Sequence, residues 1–239
     1  MFVCHTLSRL TTALAVSLMA AGTLVATTAP ATAAWSPNVM VISPAAPMAN
    51  EVFATKGRLS TAFERPVKLQ RLKSYRDQTW ETVHTAVSDS AGYFYLSGRT
   101  SADRSFRVYA PTVKHKGRTY ARIVTPTKVV RVAVQKVTLT VSSKVWFPYQ
   151  PATVTLQATP ARPGRAMYLF ASTSSHIDTT GMPAQASTQD SRGRATFTFT
   201  PDSDEVGLHI FLLGKAMAWD GAAPTSSAAL EADIVAPKP

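Results

Sequence analysis

The chain contains an internal repeat with a period of about one hundred residues. Asp89-Ser90-Ala91-Gly92 returns 101 positions later as Asp190-Ser191-Arg192-Gly193, and each motif is followed by strand-like residues. Aspartate accepts hydrogen bonds from backbone amides two residues on, and glycine tolerates positive φ, so each motif predicts a tight turn. Upstream, Pro66-Val67-Lys68-Leu69-Gln70-Arg71 has an altered copy in Arg165-Ala166-Met167-Tyr168-Leu169-Phe170. A repeat of this length predicts two related modules in tandem, because each copy is as long as a common domain.

Short segments that alternate apolar and polar residues occur throughout both modules. Residues 67–70, 80–87 and 106–110 alternate with period two, and Gly, Asp and Ser turns separate them. This pattern is typical of about eight short strands in a sandwich and not of βαβ units. For the second module the same pattern predicts strands at 137–141, 153–158, 166–171, 195–200, 208–213 and 228–235.

Two connecting segments are less regular. Residues 172–189 are long and polar, and we expect a loop there in place of the strand that contains Trp80 in the first module. Residues 129–141 form one nearly continuous strand-like run without Gly or Ser spacers. This run predicts that the modules 35–135 and 136–239 are stacked end to end with little freedom.

Residues 1–34 have the three parts of a secretory signal peptide. A short segment with Arg9 precedes an apolar stretch at 10–25, and small residues follow at 31–34. A membrane anchor needs about 20 apolar residues, and this stretch is shorter and ends near Pro30. We therefore expect cleavage and a secreted, extracellular protein. Cys4 is the only cysteine and lies in this leader, so the mature chain has neither a disulfide nor a cysteine-based metal site.

Charge is divided unevenly between the modules. Residues 35–135 contain 16 Lys and Arg against 6 Asp and Glu, whereas residues 136–239 contain 8 of each. The excess of positive charge on the first module creates an electrostatic field that would concentrate polyanions at its surface. The alternative is that the charges only confer solubility and prevent edge-to-edge association of strands. The predicted polyanion-binding residues are Lys68, Arg71, Lys73, Arg76, Arg104, Arg107, Lys114, Lys116, Arg118 and Arg122.

Three segments of the first module resemble the bacterial immunoglobulin-like repeat domains of secreted and surface proteins. They are Arg65-Pro66-Val67-Lys68-Leu69-Gln70-Arg71, Ser88-Asp89-Ser90-Ala91-Gly92-Tyr93-Phe94 and Phe106-Arg107-Val108-Tyr109-Ala110. The resemblance covers most of 40–135 and extends more loosely over 136–235. It implies two tandem immunoglobulin-like β-sandwich domains after a cleaved signal peptide, and a structural or binding role. The family shares no catalytic residues.

Aromatic residues fall into two groups. The family pattern places Trp80, Tyr93 and Tyr95 in the sandwich core, although they could instead form a platform for a sugar. Trp146, Tyr149 and Trp219 lie in predicted loops, where they are candidates for exposed contacts or for packing between domains.

Other candidate chemistry is weak. The four histidines after the leader are scattered without the spacing of metal ligands, and Ser172 to Asp178 places Ser, His and Asp in one loop without a rigid scaffold. The acidic run Asp202-Ser203-Asp204-Glu205 lacks the spacing of a calcium loop and is better explained as a solvated turn. We therefore expect no enzyme activity, no cofactor and no metal.

The sequence thus predicts a secreted, non-enzymatic structural or interaction protein. Its first domain is expected to bind an anionic cell-envelope or matrix polymer or polysaccharide through Lys and Arg. The alternative is a protein-binding adhesin or secreted inhibitor that uses the aromatic loops of the second domain. We expect no membrane span after the leader, and the oligomeric state stays open.

Overall fold

A computed structural model describes residues 35–76 and 78–238. Within these ranges the secondary structure consists of 19 β-strands and one short 3₁₀ helix, Ser203–Glu205. No helix in the described ranges is long and apolar enough to cross a membrane. The leader 1–34 lies outside the described residues, so its cleavage stays a prediction.

The first ten strands precede residue 131 and form the part of the chain that is rich in Lys and Arg. They are β1 (Val39–Ser43), β2 (Phe53–Arg58), β3 (Pro66–Ser74), β4 (Thr79–Val87), β5 (Tyr93–Gly98), β6 (Arg104–Ala110), β7 (Val113–His115), β8 (Arg118–Tyr120), β9 (Ile123–Val124) and β10 (Lys128–Val130). The remaining strands are β11 (Lys136–Val141), β12 (Val145–Trp146), β13 (Ala152–Thr159), β14 (Ala166–Ser172), β15 (Gln185–Thr188), β16 (Arg194–Phe199), β17 (His209–Ala216), β18 (Thr225–Ser226) and β19 (Leu230–Ile234).

The first sandwich consists of two sheets that face each other across one hydrophobic core. One sheet has the order β1-β2-β5, and the other has the order β10-β6-β3-β4 with β9 paired to β6. Alternate residues of these strands point inward, as the period-two pattern requires. The core includes Met40, Phe53, Val67, Leu69, Phe94, Leu96, Phe106 and Val108.

The second sandwich repeats this arrangement around its own core. One sheet has the order β11-β13-β16, and the other has the order β12-β19-β17-β14-β15 with β18 paired to β17. Its core includes Val154, Leu156, Met167, Leu169, Phe197 and Leu212. In both sandwiches a three-stranded antiparallel sheet faces a larger sheet across the core, which is the arrangement of an immunoglobulin-like fold. The predicted all-β, immunoglobulin-like class is confirmed.

The repeat seen in the sequence is also a repeat in structure. Asp89 Oδ1 accepts hydrogen bonds from the amides two and four residues on, at 2.9 and 2.8 Å. Asp190 Oδ1 makes the same two bonds at 2.8 Å each. Gly92 and Gly193 follow in these turns with φ of 84° and 80°. The same side-chain bonds therefore form the same turn in both sandwiches.

Two predicted segments differ from the structure. The stretch 172–189, predicted as a loop, contains β15, which pairs with β14; its polar residues form an edge strand that hydrophobic periodicity does not reveal. The run 129–141 is not continuous, because β10 ends at Val130 and β11 begins at Lys136. Between them Ala133 forms a parallel bridge with Met48.

Buried polar contacts join the two sandwiches. Arg162 donates from Nε to Glu51 Oε1 at 2.5 Å and from Nη2 to Glu51 Oε2 at 2.7 Å. Arg165, also buried, donates to Met48 Sδ at 3.3 Å and to Gln135 Oε1 at 2.9 Å. From Trp35 onward the chain is one compact unit, and its division into domains at 135/136 stays a prediction.

Substituting alanine at the two repeat glycines tests the turns. A Cβ on Gly92 would lie 2.3 Å from the Thr61 carbonyl oxygen, and one on Gly193 would lie 2.5 Å from that of Ala158. Gly117 is the matched control, because its φ is 78° and nothing lies within 4 Å of its Cβ position. We expect Gly117→Ala to lower the free energy of unfolding by about 1–2 kcal/mol and the other two to lower it further, as measured by urea denaturation. Equal losses at all three positions would contradict this account.

Removing one partner of the buried junction pair should be more harmful than removing both. Arg162→Met leaves the Glu51 carboxylate buried without its cation, and such a change lowers the free energy of unfolding by about 3–5 kcal/mol. The double variant Glu51→Gln/Arg162→Met should recover part of that loss. Arg71→Met is the control, since it breaks a half-exposed pair with Glu81 that is worth about 1 kcal/mol or less. A double variant less stable than the single one would exclude this explanation.

Candidate functional site

The outer face of the sheet β10-β6-β3-β4 carries the cations of the two central strands. Leu69 pairs with Val108, and both side chains are buried in the core. Because side chains alternate along a strand, the neighbouring pairs point outward. These outward pairs are Gln70 with Arg107 and Lys68 with Tyr109.

Arg107 is the centre of this outer face. Its guanidinium carbon lies 4.0 Å from the centroid of the Trp80 ring, and its Nε donates to Gln70 Oε1 at 2.9 Å. Partial burial lowers the pKa of Arg107, and the positive charge of Arg122 lowers that pKa further, while Tyr109 raises it. The ion pairs within the described residues include neither Arg107 nor Arg122. The positive charge of Arg122 therefore disfavours the charged form of Arg107, whose guanidinium lies over the indole ring.

A second group of cations lies on the β7–β8 hairpin. Lys114, Lys116 and Arg118 are exposed. Phe63 holds the hairpin against the sandwich: its ring stacks on His115 with centroids 4.2 Å apart and packs at a tilt against Tyr120 at 4.6 Å.

The remaining predicted cations lie elsewhere. Arg71 is paired with Glu81 at 2.5 Å, and with His84 and Arg99 it lines an open cavity of about 400 Å³ at the sandwich edge. Lys73, Arg76 and Arg104 are exposed near the end of β3 and the start of β6, toward the second sandwich. The structure therefore places Lys68 and Arg107 on the outer face and Lys114, Lys116 and Arg118 on the hairpin. Arg122 follows the hairpin, and its charge lowers the pKa of Arg107.

The predicted aromatic contacts separate into three environments. Trp146 is only 4% exposed, stacks on Phe199 at 5.8 Å and donates its indole N–H to the Ser143 carbonyl oxygen at 2.8 Å. Its interpretation as an exposed contact is wrong, because β12 places it in the second core. Tyr149 is 68% exposed. Trp219 is half-buried and lines a cleft of about 290 Å³ between the sandwiches.

The core prediction for three aromatic residues of the first module is also wrong. Tyr93 and Tyr95 are 41% and 58% exposed, and the core side chains of β5 are Phe94 and Leu96. Trp80 lies under Arg107 on the outer face. Cations lie over the two tyrosines as well, each 5.4 Å from the ring centroid: Arg58 over Tyr93 and Lys56 over Tyr95. The signal for this outward aromatic pattern was present in the basic residues of β2, which pair with β5.

The other candidate constellations form ordinary local structure. In the described part of the chain no group of three or more His, Cys, Asp or Glu side chains is arranged to hold a metal ion. In the Ser172–Asp178 loop, Asp178 Oδ1 accepts from the amide and hydroxyl of Thr180 at 2.8 and 2.6 Å. Glu205 Oε2 accepts from the Asp202 amide at 2.9 Å within the 3₁₀ turn.

No protein-family profile matches the chain, and no curated protein matches its sequence. Among solved structures, the human OSCAR ligand-binding domain is 10% identical over 82% of this chain and 98% of that chain, with a TM-score of 0.39. A Ca²⁺-stabilized adhesin with which an Antarctic bacterium binds ice is 14% identical over 85% of this chain and 50% of that one, with a TM-score of 0.39. Fibronectin(III)-like modules of Clostridium thermocellum CbhA are 15% identical over 83% of this chain and 94% of that chain, with a TM-score of 0.31. These similarities concern strand arrangement alone.

His209 gives the second sandwich a pH-dependent contact. Its Nδ1 lies 2.6 Å from Asp233 Oδ1, and its Nε2 lies 3.6 Å from Glu231 Oε2. The hydrogen bond to Asp233 raises the pKa of His209 above its ordinary value of 6.5, and the two carboxylate charges add to this. Because the folded-state pKa is the higher one, this contribution to stability is complete below about pH 6.5 and is lost as pH rises through the folded pKa.

We expect the urea midpoint of the wild type to fall as pH rises from about 6 to about 8, and Asp233→Asn to flatten that fall. Glu231→Gln should have a smaller effect, because its carboxylate is the more distant partner. The His209 ring signal in NMR, followed against pH, measures the pKa directly. An Asp233→Asn profile identical to that of the wild type would refute the role of this contact.

Proposed function

We propose that this protein is a secreted, non-enzymatic interaction protein of the bacterial immunoglobulin-like repeat kind. Its first sandwich binds an anionic polymer of the cell envelope or matrix. The observation that supports this best is that Arg107 lies over the Trp80 ring and takes part in no ion pair of the described residues, while the positive charge of Arg122 lowers its pKa. An anion bound at Arg107 would offset the effect of the Arg122 charge, and the partly desolvated guanidinium of Arg107 would strengthen the contact.

The position of these cations in the sheet argues against the alternative that they only prevent edge-to-edge association of strands. Charges that prevent strand association are expected on edge strands. Lys68 lies on β3 and Arg107 on β6, and both strands are internal in the order β10-β6-β3-β4. Solubility alone is equally served by charges anywhere on the surface, and does not require one to be stacked on an indole ring.

Cations at two places favour a polymer over a small anion. Lys68 and Arg107 lie on the outer face, and Lys114, Lys116, Arg118 and Arg122 extend the positive field along the hairpin that follows β6 and the segment after it. A ligand with several anionic groups can contact both places at once, which raises its affinity. Arg71 is outside this proposed site, because Glu81 already neutralises it.

The residues 136–239 would then act as a rigidly held spacer or contact a neutral partner. The alternative function, a protein-binding adhesin or inhibitor, depended on the aromatic loops of this part. Because Trp146 is buried, only Tyr149 and Trp219 of the three predicted aromatic residues remain available to contact a protein partner.

A double substitution at Arg107 and Arg122 tests the proposal. With labelled polyphosphate as the probe, Arg107→Gln/Arg122→Gln should raise the Kd by roughly 30-fold at low salt, since each cation contributes about 1 kcal/mol near an anionic surface. The slope of log K against log salt should also decrease, because fewer counterions are released.

The matched control is Lys144→Gln/Arg192→Gln, which removes two exposed cations from the second sandwich. We expect it to change the Kd by less than about twofold, because its sites lie outside the proposed contact. If both double variants weaken binding equally, net charge alone is responsible. If the wild type does not bind polyphosphate at low salt, the cations serve solubility only.

A further inference from the structure

The two free ends of the paired sandwiches carry opposite charges. Residues 131–135 leave the first sandwich toward the second, so the hairpin that follows β6 lies at the opposite, free end. The β17 strand ends at Ala216 near the junction, so the turn that precedes β17 lies at the free end of the second sandwich. The first end exposes Lys114, Lys116, Arg118 and Arg122, and the second exposes Asp202 and Asp204.

Opposing charges at each end are few. The exposed acid near the basic end is Glu64, while Asp89 uses its carboxylate in the turn described above. At the acidic end Lys144 and Lys238 are exposed cations, while Asp178 and Asp233 are exposed acids in addition to Asp202 and Asp204. Each end therefore keeps a net charge of its own sign, and the ends of two copies complement each other.

The acidic end also repeats the loop by which the first sandwich contacts the second. Asn50, beside Glu51 at the junction, has φ of 63°, and Tyr149 has φ of 59° in the corresponding loop. The Glu51 amide donates to the Met48 carbonyl at 3.0 Å, and the amide of Gln150 bonds in the same way, three residues back, at 3.2 Å. At the acidic end this loop exposes Tyr149 next to the 3₁₀ turn, where its hydroxyl bonds Ser203 at 3.0 Å.

The basic end repeats the surface that receives that loop. Arg65 and Arg165 occupy equivalent positions, each 1% exposed. At the junction the Arg165 guanidinium bonds Met48 and Gln135 of the first sandwich. Arg65 Nη2 donates to the carbonyls of Pro111 and Ala121, but its Nε and Nη1 have no partner among the described residues. Arg65 thus bonds both ends of the segment that carries the basic hairpin, as Arg165 bonds Met217 and Ala223 at both ends of the equivalent segment after β17.

We infer that copies of this chain associate head to tail, with the acidic end of one copy against the basic end of the next. Such a contact is heterologous, so it adds copies without limit unless the chain closes on itself. Opposite charges steer the encounter and set its orientation, and the exposed ring of Tyr149 supplies apolar contact. This inference does not depend on polymer binding, although a polyanion would compete for the hairpin.

Charge reversal at each end tests the association. The full chain, purified in the form that its host exports, is followed by sedimentation velocity over a concentration series from about 1 μM to about 0.5 mM. We expect wild-type sedimentation to increase with concentration, and the increase to disappear in about 0.5 M salt. Lys114→Glu and Asp204→Lys should each abolish it. Both side chains are exposed, so folding should be retained.

An equimolar mixture of the two variants should restore association, since the reversed end of each complements the reversed end of the other. Lys128→Glu is the matched control for net charge and should associate like the wild type, because Lys128 lies on β10 and away from both ends. A monomeric wild type at the highest concentration, or association that survives Asp204→Lys, overturns the inference. Polyphosphate binding by Asp204→Lys reports on the proposed function separately, since that residue plays no part in it.

Discussion

The buried contacts between the sandwiches determine how the rest of the molecule is presented. Arg162 binds Glu51 with two hydrogen bonds, and the more deeply buried Arg165 donates to Met48 and Gln135. A buried charge without its partner is strongly unfavourable, so these arginines hold the sandwiches in one arrangement. That arrangement occupies one end of each sandwich and leaves the hairpin of the first and the acidic turn of the second as free ends.

The outer face of the first sandwich depends on a different balance. Arg107 gains contact with the Trp80 ring and with Gln70, while its partial burial and the nearby Arg122 disfavour its charged form. Arginine suits this position because its planar group stacks on aromatic rings and stays charged under such conditions. In the proposed function, these contacts would hold the Arg107 side chain in position before the polymer binds, so little of its side-chain entropy would be lost.

Sequence patterns predicted those parts of the structure that short-range rules control. Asp89 and Asp190 form their turns with neighbouring amides, so spacing alone revealed them. The same rules failed in β5, where Tyr, Phe, Tyr and Leu follow one another and either alternate pair could fill the core. They failed again at Trp146, which a two-residue strand draws into the second core, and at β15, whose pairing to β14 gives polar residues a strand conformation.

The sequence by itself determined the all-β class, the repeat, the turns and the excess of cations in the first module, because each depends on residue type and on neighbours within a few positions. Only the tertiary structure decided which cations are paired with an acid and which lie on an aromatic ring. Arg71 and Arg107 are alike in sequence, yet Glu81 neutralises the first and Trp80 supports the second. The charge of a group depends on its own chemistry, whereas its availability depends on side chains that folding brings from distant parts of the chain.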